Sequence, residues 1–542
     1  MVPSKGGELV VRTLEKLGVD VIFGIPGIHN LDIYDSLANS SIRHVGARHE
    51  QGSGFMALGY ARMSGKPGVA LTITGPGLTN IITAMGQAFH DSVPMLVISS
   101  QIETSALNYR SGYLHELRNS TILASSVAKE SRIIRSHQDI SNSIMQAYNL
   151  VTSGRPGPVH LEIPLDILGE PSPIVESDFQ YPLTSALPCK DEIKRAAKLI
   201  TSTSSPIIIV GGGSRKASEE VTGLSELLKA PVVQTCAGKG VMDEEHPLCL
   251  GSRLHFPSVQ QLIEQSDLVI AVGTEFSPTD FWKRSLKIRG SLMVINEDPS
   301  SFFNQHSADM GIKGDAGIIL RSILDLFQGT EIAKEDSADI VRTVIEESRA
   351  MIGQVTGIGK ELPGLLRTVA ALRENIASKG VLWADMTTLA YLGISEFPVS
   401  SPGLFEHPVG FGTLGAALPA AIGSLMAEPE KEVCVLAGDG GFQFTLPELA
   451  VAAELQHSLP ILIWNDKGYG EIRRNQNSRK SPRNMAVDHR SLDYLSLGKC
   501  YGIHAVAISS LDELSEALGE AWKRNSPMLI EMIAEEVIKI VP

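Results

Sequence analysis

Aromatic side chains are scarce in this sequence: they make up 5% of its 542 residues, against 43% hydrophobic residues overall. The cores must therefore be mostly aliphatic. With 50 Gly and 29 Pro, the composition suits an α/β protein with many short strand-to-helix turns. Cysteine is sparse as well. The five cysteines, Cys189, Cys236, Cys249, Cys434 and Cys500, are odd in number and far apart, with no CxxC pair among them. A disulfide framework or a zinc site is not expected, and reduced thiols fit a cytosolic enzyme. No apolar run approaches the roughly 20 residues that span a bilayer. The N-terminal stretch is broken by Glu8, Arg12, Glu15, Lys16 and Asp20, so it lacks the apolar heart of a secretory signal. A cytoplasmic location is the expectation. Positive charge is in deficit, 47 Lys and Arg against 61 Asp and Glu, a net −14. That balance argues against non-specific binding to nucleic acid or to an anionic membrane, while leaving the potential inside any one site open.

The length suffices for three domains of ordinary size. Short apolar runs alternate with helical patterns throughout, the mark of repeated βα units on parallel sheets. Strands are expected at Val21–Ile25, Gly68–Ile73, Met95–Ser99 and Val159–Ile163, then at Pro206–Val210, Pro231–Gln234, Leu268–Val272 and Leu292–Ile295. A third group follows at Val381–Ala384, Val433–Leu436, Ile461–Trp464 and Met528–Met532. The expected organisation is three doubly wound parallel-sheet α/β domains over residues 1–170, 189–328 and 366–542. A Pro/Ser-rich linker at 171–188 and a connector at 329–365 join them. The first and third domains share a rhythm of Gly-rich strand ends, where a doubly wound fold places ligands.

The strongest chemical signal is Gly438-Asp439-Gly440-Gly441 after a strand, with Asn465-Asp466 at the end of the next one. Glycines there let the backbone approach a phosphate closely. Asp439 and Asp466 would reach one point from two strand ends. Two such oxygens, a backbone carbonyl and diphosphate oxygens would satisfy Mg²⁺. Two unrelated turns could carry the same residues, but the spacing and the intervening helix argue against that.

This constellation resembles the diphosphate-binding motif of the thiamine diphosphate enzymes related to acetolactate synthase and benzaldehyde lyase. The resemblance covers nearly the whole chain. It includes Gly24-Ile25-Pro26-Gly27, Arg48-His49-Glu50, Thr74-Gly75-Pro76-Gly77 with Thr79-Asn80, Gly154-Arg155-Pro156-Gly157-Pro158-Val159 and Gly412-Thr413-Leu414-Gly415. It implies thiamine diphosphate and Mg²⁺ as cofactors, a pyrimidine-binding first domain, a Rossmann-like central domain and a diphosphate-binding third domain. Glu50 matches the glutamate that hydrogen-bonds N1′ of the cofactor, which is general acid–base work. Gly412 matches the carbonyl that meets the 4′-amino group, and Leu414 the apolar prop for the bent cofactor. Thr387, Gly438, Gly440 and Gly441 fall to the diphosphate, and Asp439, Asp466 and Gly468 to the metal. Sites shared across a subunit boundary imply at least a homodimer, with a homotetramer as the alternative.

Pocket residues are less clear. His29 and His115 match positions near the reactive carbon, and an imidazole there could shuttle a proton, though a lone His is more often structural. Ile28 is a pocket candidate beside His29. Glu471 opens the helix after the metal loop, where acetolactate-type relatives carry an apolar side chain. A carboxylate in a dry site would seek a cationic partner, best a guanidinium. Equally, Glu471 could serve its own helix N-terminus or pair with Arg474. The segments around His115 and Glu471 are similar to the 5-guanidino-2-oxopentanoate decarboxylases, a narrower match. Gly211-Gly212-Gly213 lacks GxGxxG and a ribose-binding acid, so no FAD is expected. The basic run from Arg473 to Arg483 reads as a solvated loop over the site mouth. The leading expectation is non-oxidative decarboxylation of a small-molecule 2-oxo acid. The alternatives are carboligation or cleavage of 2-hydroxyketones and a non-catalytic paralogue, against which the intact Glu50, Leu414, Asp439 and Asp466 argue.

Overall fold

The computed structural model describes residues 4–172, 187–329, 332, 334–479 and 483–539. Most of the expected linker 171–188 lies outside these residues. Three six-stranded parallel sheets carry the fold, flanked by helices. In the first, the spatial order is Arg43–Gly46, Val21–Gly24, Gly68–Thr72, Met95–Gln101, Pro158–Pro164 and Glu130–Ile133. The third runs Phe405–Glu406, Val381–Ala384, Val433–Gly438, Leu459–Asn465, Pro527–Ile533 and His504–Ile508. Numbered along the chain, both orders read 2-1-3-4-6-5, so the shared rhythm of the two domains is a shared topology. The central sheet, Cys249–Gly251, Val232–Gln234, Pro206–Val210, Leu268–Val272, Ser291–Asn296 and Met310–Lys313, reads 3-2-1-4-5-6. That is the dinucleotide-fold order. Ser4–Lys5 and Pro171–Ser172 add a small antiparallel pair.

The interior strands of each sheet are buried on both faces, which is why they are continuous aliphatic runs. Aliphatic residues dominate the cores, as the aromatic shortage required. The first and third domains meet through the helices Glu50–Ser64 and Ala417–Ala427. A Cβ on Gly59 would stand 1.9 Å from the Ala420 carbonyl oxygen, and one on Gly423 1.9 Å from that of Met56. Only glycine permits so close a crossing. Gly211 serves the same end within the central sheet, where a Cβ would lie 2.4 Å from the Gly273 oxygen. Among the described residues no helix is long and apolar enough to cross a membrane.

Two details differ from expectation. The segment expected as one helix from Leu446 to Gln456 is a 3₁₀ turn, Leu446–Glu448, followed by the helix Leu449–Glu454. The basic run after the metal loop begins as the helix Gly470–Ser478 rather than as a loop. Arg473 there turns back to donate to the carbonyls of Asp466 and Lys467 and pairs with Asp488 at 2.9 Å. Backbone carbonyls left unpaired by the tight turn recruit the guanidinium. Lys480 lies outside the described residues.

Candidate active site

Both outer sheets reverse their strand order between their first and third strands, and ligands in such sheets bind beyond the carboxyl ends at that switch point. In the first domain the two loops concerned are Ile25-Pro26-Gly27 and Ile73-Thr74-Gly75. His49 caps the helix Glu50–Ser64 through its ring nitrogen, placing Glu50 at the first position with 8% exposure. Asn80 donates to Glu50 Oε2 at 2.8 Å. His29 and His115 meet edge-to-face with ring centroids 5.2 Å apart, and each keeps a buried Nδ1 without a hydrogen-bond partner. Burial, with His115 adding, holds the His29 pKa below its usual value. Ile28 stands 74% exposed beside them. The structure thus gathers Glu50, His29, His115 and Ile28 at one sheet edge.

The third domain gathers the other set. Asp385 ends its first strand; its Oδ2 accepts the Gly415 amide at 2.7 Å, which fixes the loop bearing Gly412 and Leu414. Leu414 Cδ2 lies 3.3 Å from where Gly441 would carry a Cβ, and Thr387 Oγ1 3.3 Å from the corresponding point of Gly438. Gly440 faces Tyr469, whose ring a Cβ would meet at 2.7 Å. Gly412 takes φ +68°, and Met386 Cε is 3.2 Å from its Cβ position. Asp439 is 1% exposed, and neither of its oxygens has a hydrogen-bond partner. Burial raises its pKa, against the lowering pull of His489, whose Nε2 is 3.7 Å away. Asp466 is pushed up to about 6 by burial and then by the charge of Asp439, with Arg473 and Arg474 opposing. Gly468 at φ +146° turns the chain where a Cβ would strike the Val487 oxygen at 2.0 Å.

These features fit a diphosphate and a hard cation. A buried carboxylate without donors is costly unless a cation meets it. Among the described residues no three His, Cys, Asp or Glu side chains converge on one point. Two carboxylates and a carbonyl leave positions for diphosphate oxygens, as Mg²⁺ prefers.

Among the described residues no hydrogen bond joins the two sets within one chain, although Glu448 of the third domain accepts the amides of Arg48 and His49 beside Glu50. The loop before Leu414 meets the first domain through Gln87, which accepts from Thr413 Oγ1 at 2.7 Å, and Asp91, which accepts from the Gly410 amide at 2.9 Å. These lie at the far end of the helix Pro76–His90 from Asn80, roughly 10 Å along its axis. Exposed apolar side chains adjoin both sets in sequence, Leu31, Tyr113 and Leu114 by one and Phe444 and Ile472 by the other, while the half-exposed Phe411 stacks on His90 of the first domain.

Glu471 lines a cavity of about 360 Å³ between the central and third domains, together with Met386, Tyr391, Asp280 and Trp282. Its carboxylate is engaged by Arg474 at 2.5 Å and Asn475 at 3.0 Å. The helix-pairing alternative weighed for Glu471 is therefore realised. A wider depression of about 960 Å³ lies at the amino ends of the central strands, around Asp267 and Ser291, away from the ligand-bearing edge.

Asn80, Asp385, Glu448, His489 and Asp280 escaped the sequence reading as site residues. Asn80 sat in a quoted motif without a role. The others carry no local pattern, because each meets the site only through tertiary packing.

Family models for thiamine pyrophosphate enzymes match three stretches: the N-terminal TPP binding domain at 4–122, the central domain at 193–323 and the C-terminal TPP binding domain at 389–532. A probable 2-ketoarginine decarboxylase of Pseudomonas aeruginosa is 38% identical over 540 residues, covering 98% of this chain and 95% of the relative. A probable acetolactate synthase large subunit of Methanocaldococcus jannaschii is 32% identical, covering 99% and 93%. Acetolactate synthase isozyme 3 large subunit of Escherichia coli is likewise 32% identical, covering 96% and 92%. With sheets, strand-end loops and full-length relatives in agreement, the chain belongs to the thiamine pyrophosphate enzyme family.

Proposed function

We propose that this thiamine diphosphate enzyme uses Mg²⁺ to decarboxylate a 2-oxo acid, and that the acid is 5-guanidino-2-oxopentanoate, also called 2-ketoarginine. The observation that carries the reading is the acid-lined cavity whose wall includes Met386, the side chain next to Gly412, in a chain similar along its length to a probable 2-ketoarginine decarboxylase. Asp439, Asp466 and the Gly468 carbonyl hold the metal. Thr387, Gly438, Gly440 and Gly441 would hold the diphosphate, Leu414 would pack against the cofactor and the Gly412 carbonyl would accept from it. Bound there, the cofactor supplies a nucleophilic carbon and a sink for the electron pair that CO₂ leaves behind. Glu50, steadied by Asn80, holds the proton at the pyrimidine nitrogen. His29 and His115 would hold or move a proton beside the substrate's 2-oxo group, and Ile28 would wall that side.

No hydrogen bond joins the two sets among the described residues of one chain, and exposed apolar side chains adjoin each set in sequence; on this reading they meet between chains, in at least a homodimer. The domain limits 1–170, 189–328 and 366–542 are part of the same proposal. Carboligation is the second reading, favoured by the acetolactate synthases among the relatives.

The test is a panel of 2-oxo acids assayed for CO₂ and product, with and without an acceptor carbonyl compound. The expected outcome is highest kcat/KM for the guanidino acid, with 4-guanidinobutanal as the product. A 2-hydroxyketone from pyruvate as the dominant product would select the second reading.

A further inference from the structure

Glu471 attracts attention as the acid of the cavity, yet its charge is already balanced. Arg474 holds Oε2 and is itself held by Thr388 Oγ1 at 2.8 Å, while Asn475 holds Oε1. A substrate cation would have to displace an intramolecular guanidinium to reach it. The opposite wall is different. Asp280 sits in the short helix Pro278–Phe281, which Ser277 caps, and accepts a hydrogen bond from the Cys236 amide at 3.2 Å. Among the described residues no cation pairs with it. The cations nearby are committed elsewhere: Lys239 to Glu244 at 2.6 Å, Arg155 to Glu275 at 2.7 Å, and Arg62 and Arg215 to Glu406. Asp91 and Glu275 add negative charge around it. The cavity therefore carries one uncompensated carboxylate, and it comes from the central domain.

An aromatic plate stands beside that carboxylate. Trp282, two residues on, lines the same cavity and takes φ +49°, a left-handed conformation that is strained for a non-glycine residue. Its ring stacks on His255 with centroids 4.5 Å apart and planes 25° apart. Burial keeps His255 neutral, with a pKa of about 3, so the stack does not bring in a competing charge. A planar guanidinium is the cation that both groups suit, since it pairs with a carboxylate through two parallel N–H donors and stacks on an indole. The cavity volume of about 360 Å³ falls within the range of small-molecule sites.

We propose that Asp280, with Trp282 beside it, receives the distal guanidinium of the substrate and is the specificity-determining acid, while Glu471 and Arg474 form a neutral pair on the facing wall. The assignment rests on the decarboxylase reading above. Burial pushes the Asp280 carboxyl up to about 7, a cost that an arriving cation relieves and an uncharged side chain does not. Discrimination then comes as much from the carboxylate left bare by a neutral substrate as from the pair formed with the charged one.

The test uses the holoenzyme and two acids of similar length, 5-guanidino-2-oxopentanoate and the uncharged 2-oxohexanoate. Asp280→Asn keeps an oxygen for the Cys236 amide, and a thermal melt verifies that it folds. The ratio of kcat/KM for the charged over the uncharged acid should fall roughly 10- to 100-fold in this variant. Calorimetry should show a similar loss in affinity for 5-guanidinopentanoate, with pentanoate as the control. Glu471→Gln should move the ratio less, and Trp282→Leu should lower it in the same direction as Asp280→Asn. If the parent prefers the guanidino acid and Asp280→Asn keeps that preference, the Asp280 assignment alone falls. The same holds if only Glu471→Gln abolishes it. If the parent shows no preference for the guanidino acid, the proposed substrate falls and this assignment with it.

Discussion

Asp439 is a buried carboxylate that the fold keeps largely unsatisfied. A carboxylate 1% exposed, with no well-formed hydrogen bond to either oxygen among the described residues, is held there by the strand end and the glycines that follow it, while the amides of Gly468 and Gly440 and the His489 ring only lower its pKa from nearby. Leaving a buried polar group unpaired costs about 1–3 kcal/mol, more if it is charged. Asp439→Ala should therefore raise the melting temperature of the cofactor-free protein. If Asp439 holds the metal as proposed, the same variant should also weaken Mg²⁺ and diphosphate binding together. Calorimetric titration and thermal melts read the two effects separately. Unchanged cofactor affinity would remove Asp439 from the metal site, and a lower melting temperature would show that its carboxylate is satisfied in solution.

The elements most easily read from sequence were the interior strands. Each sheet's four central strands were expected from their apolar runs, and each sheet's two edge strands were not. The reason is burial. Glu130–Ile133 is half-buried along its length and His504–Ile508 mostly exposed or half-buried, so neither needs a continuous aliphatic run. Cys249–Gly251 and Phe405–Glu406 are buried but too short to stand out.

One contact between elements carries a pH prediction. Glu448, in the 3₁₀ turn Leu446–Glu448 of the third domain, accepts the amides of Arg48 and His49 at 3.2 and 3.0 Å, just before the helix that Glu50 begins. Burial raises its pKa from 4.5 to about 7, against the pull of those two amides. The folded chain thus keeps a proton that the unfolded chain gives up. Stability from this site is complete below about pH 4.5 and is lost as pH rises through about 7. Glu448→Gln still accepts both amides but does not titrate. In the cofactor-free protein it should gain on the parent by on the order of 2 kcal/mol at pH 8, the gain vanishing near pH 4.5. Equal melting temperatures for the two proteins across that range would show Glu448 to be solvated.

At the scale of the whole molecule, the proposal that the active site forms between chains has a direct test. A mixture of Glu50→Gln and Asp439→Ala subunits, dissociated and reassociated, tests this. If the site forms between chains, a mixed dimer has one site with both defects and one with neither. Random pairing then restores about a quarter of parental activity. If the site formed within one chain, the mixture would stay as inactive as its parts. Sequence alone determined the three α/β domains, the GDG and ND loops and the roles expected of Glu50, Leu414, Asp439 and Asp466. These follow from local pattern: apolar runs that must be buried, glycines that must turn, and a family frame that numbers them. Only the tertiary structure decided that Glu471 is paired with Arg474, that Asp280 faces it bare, and that Glu448 holds the start of the Glu50 helix. Those outcomes depend on which side chains from distant segments share a space, and on whether a charge finds a partner there, so no local pattern could encode them.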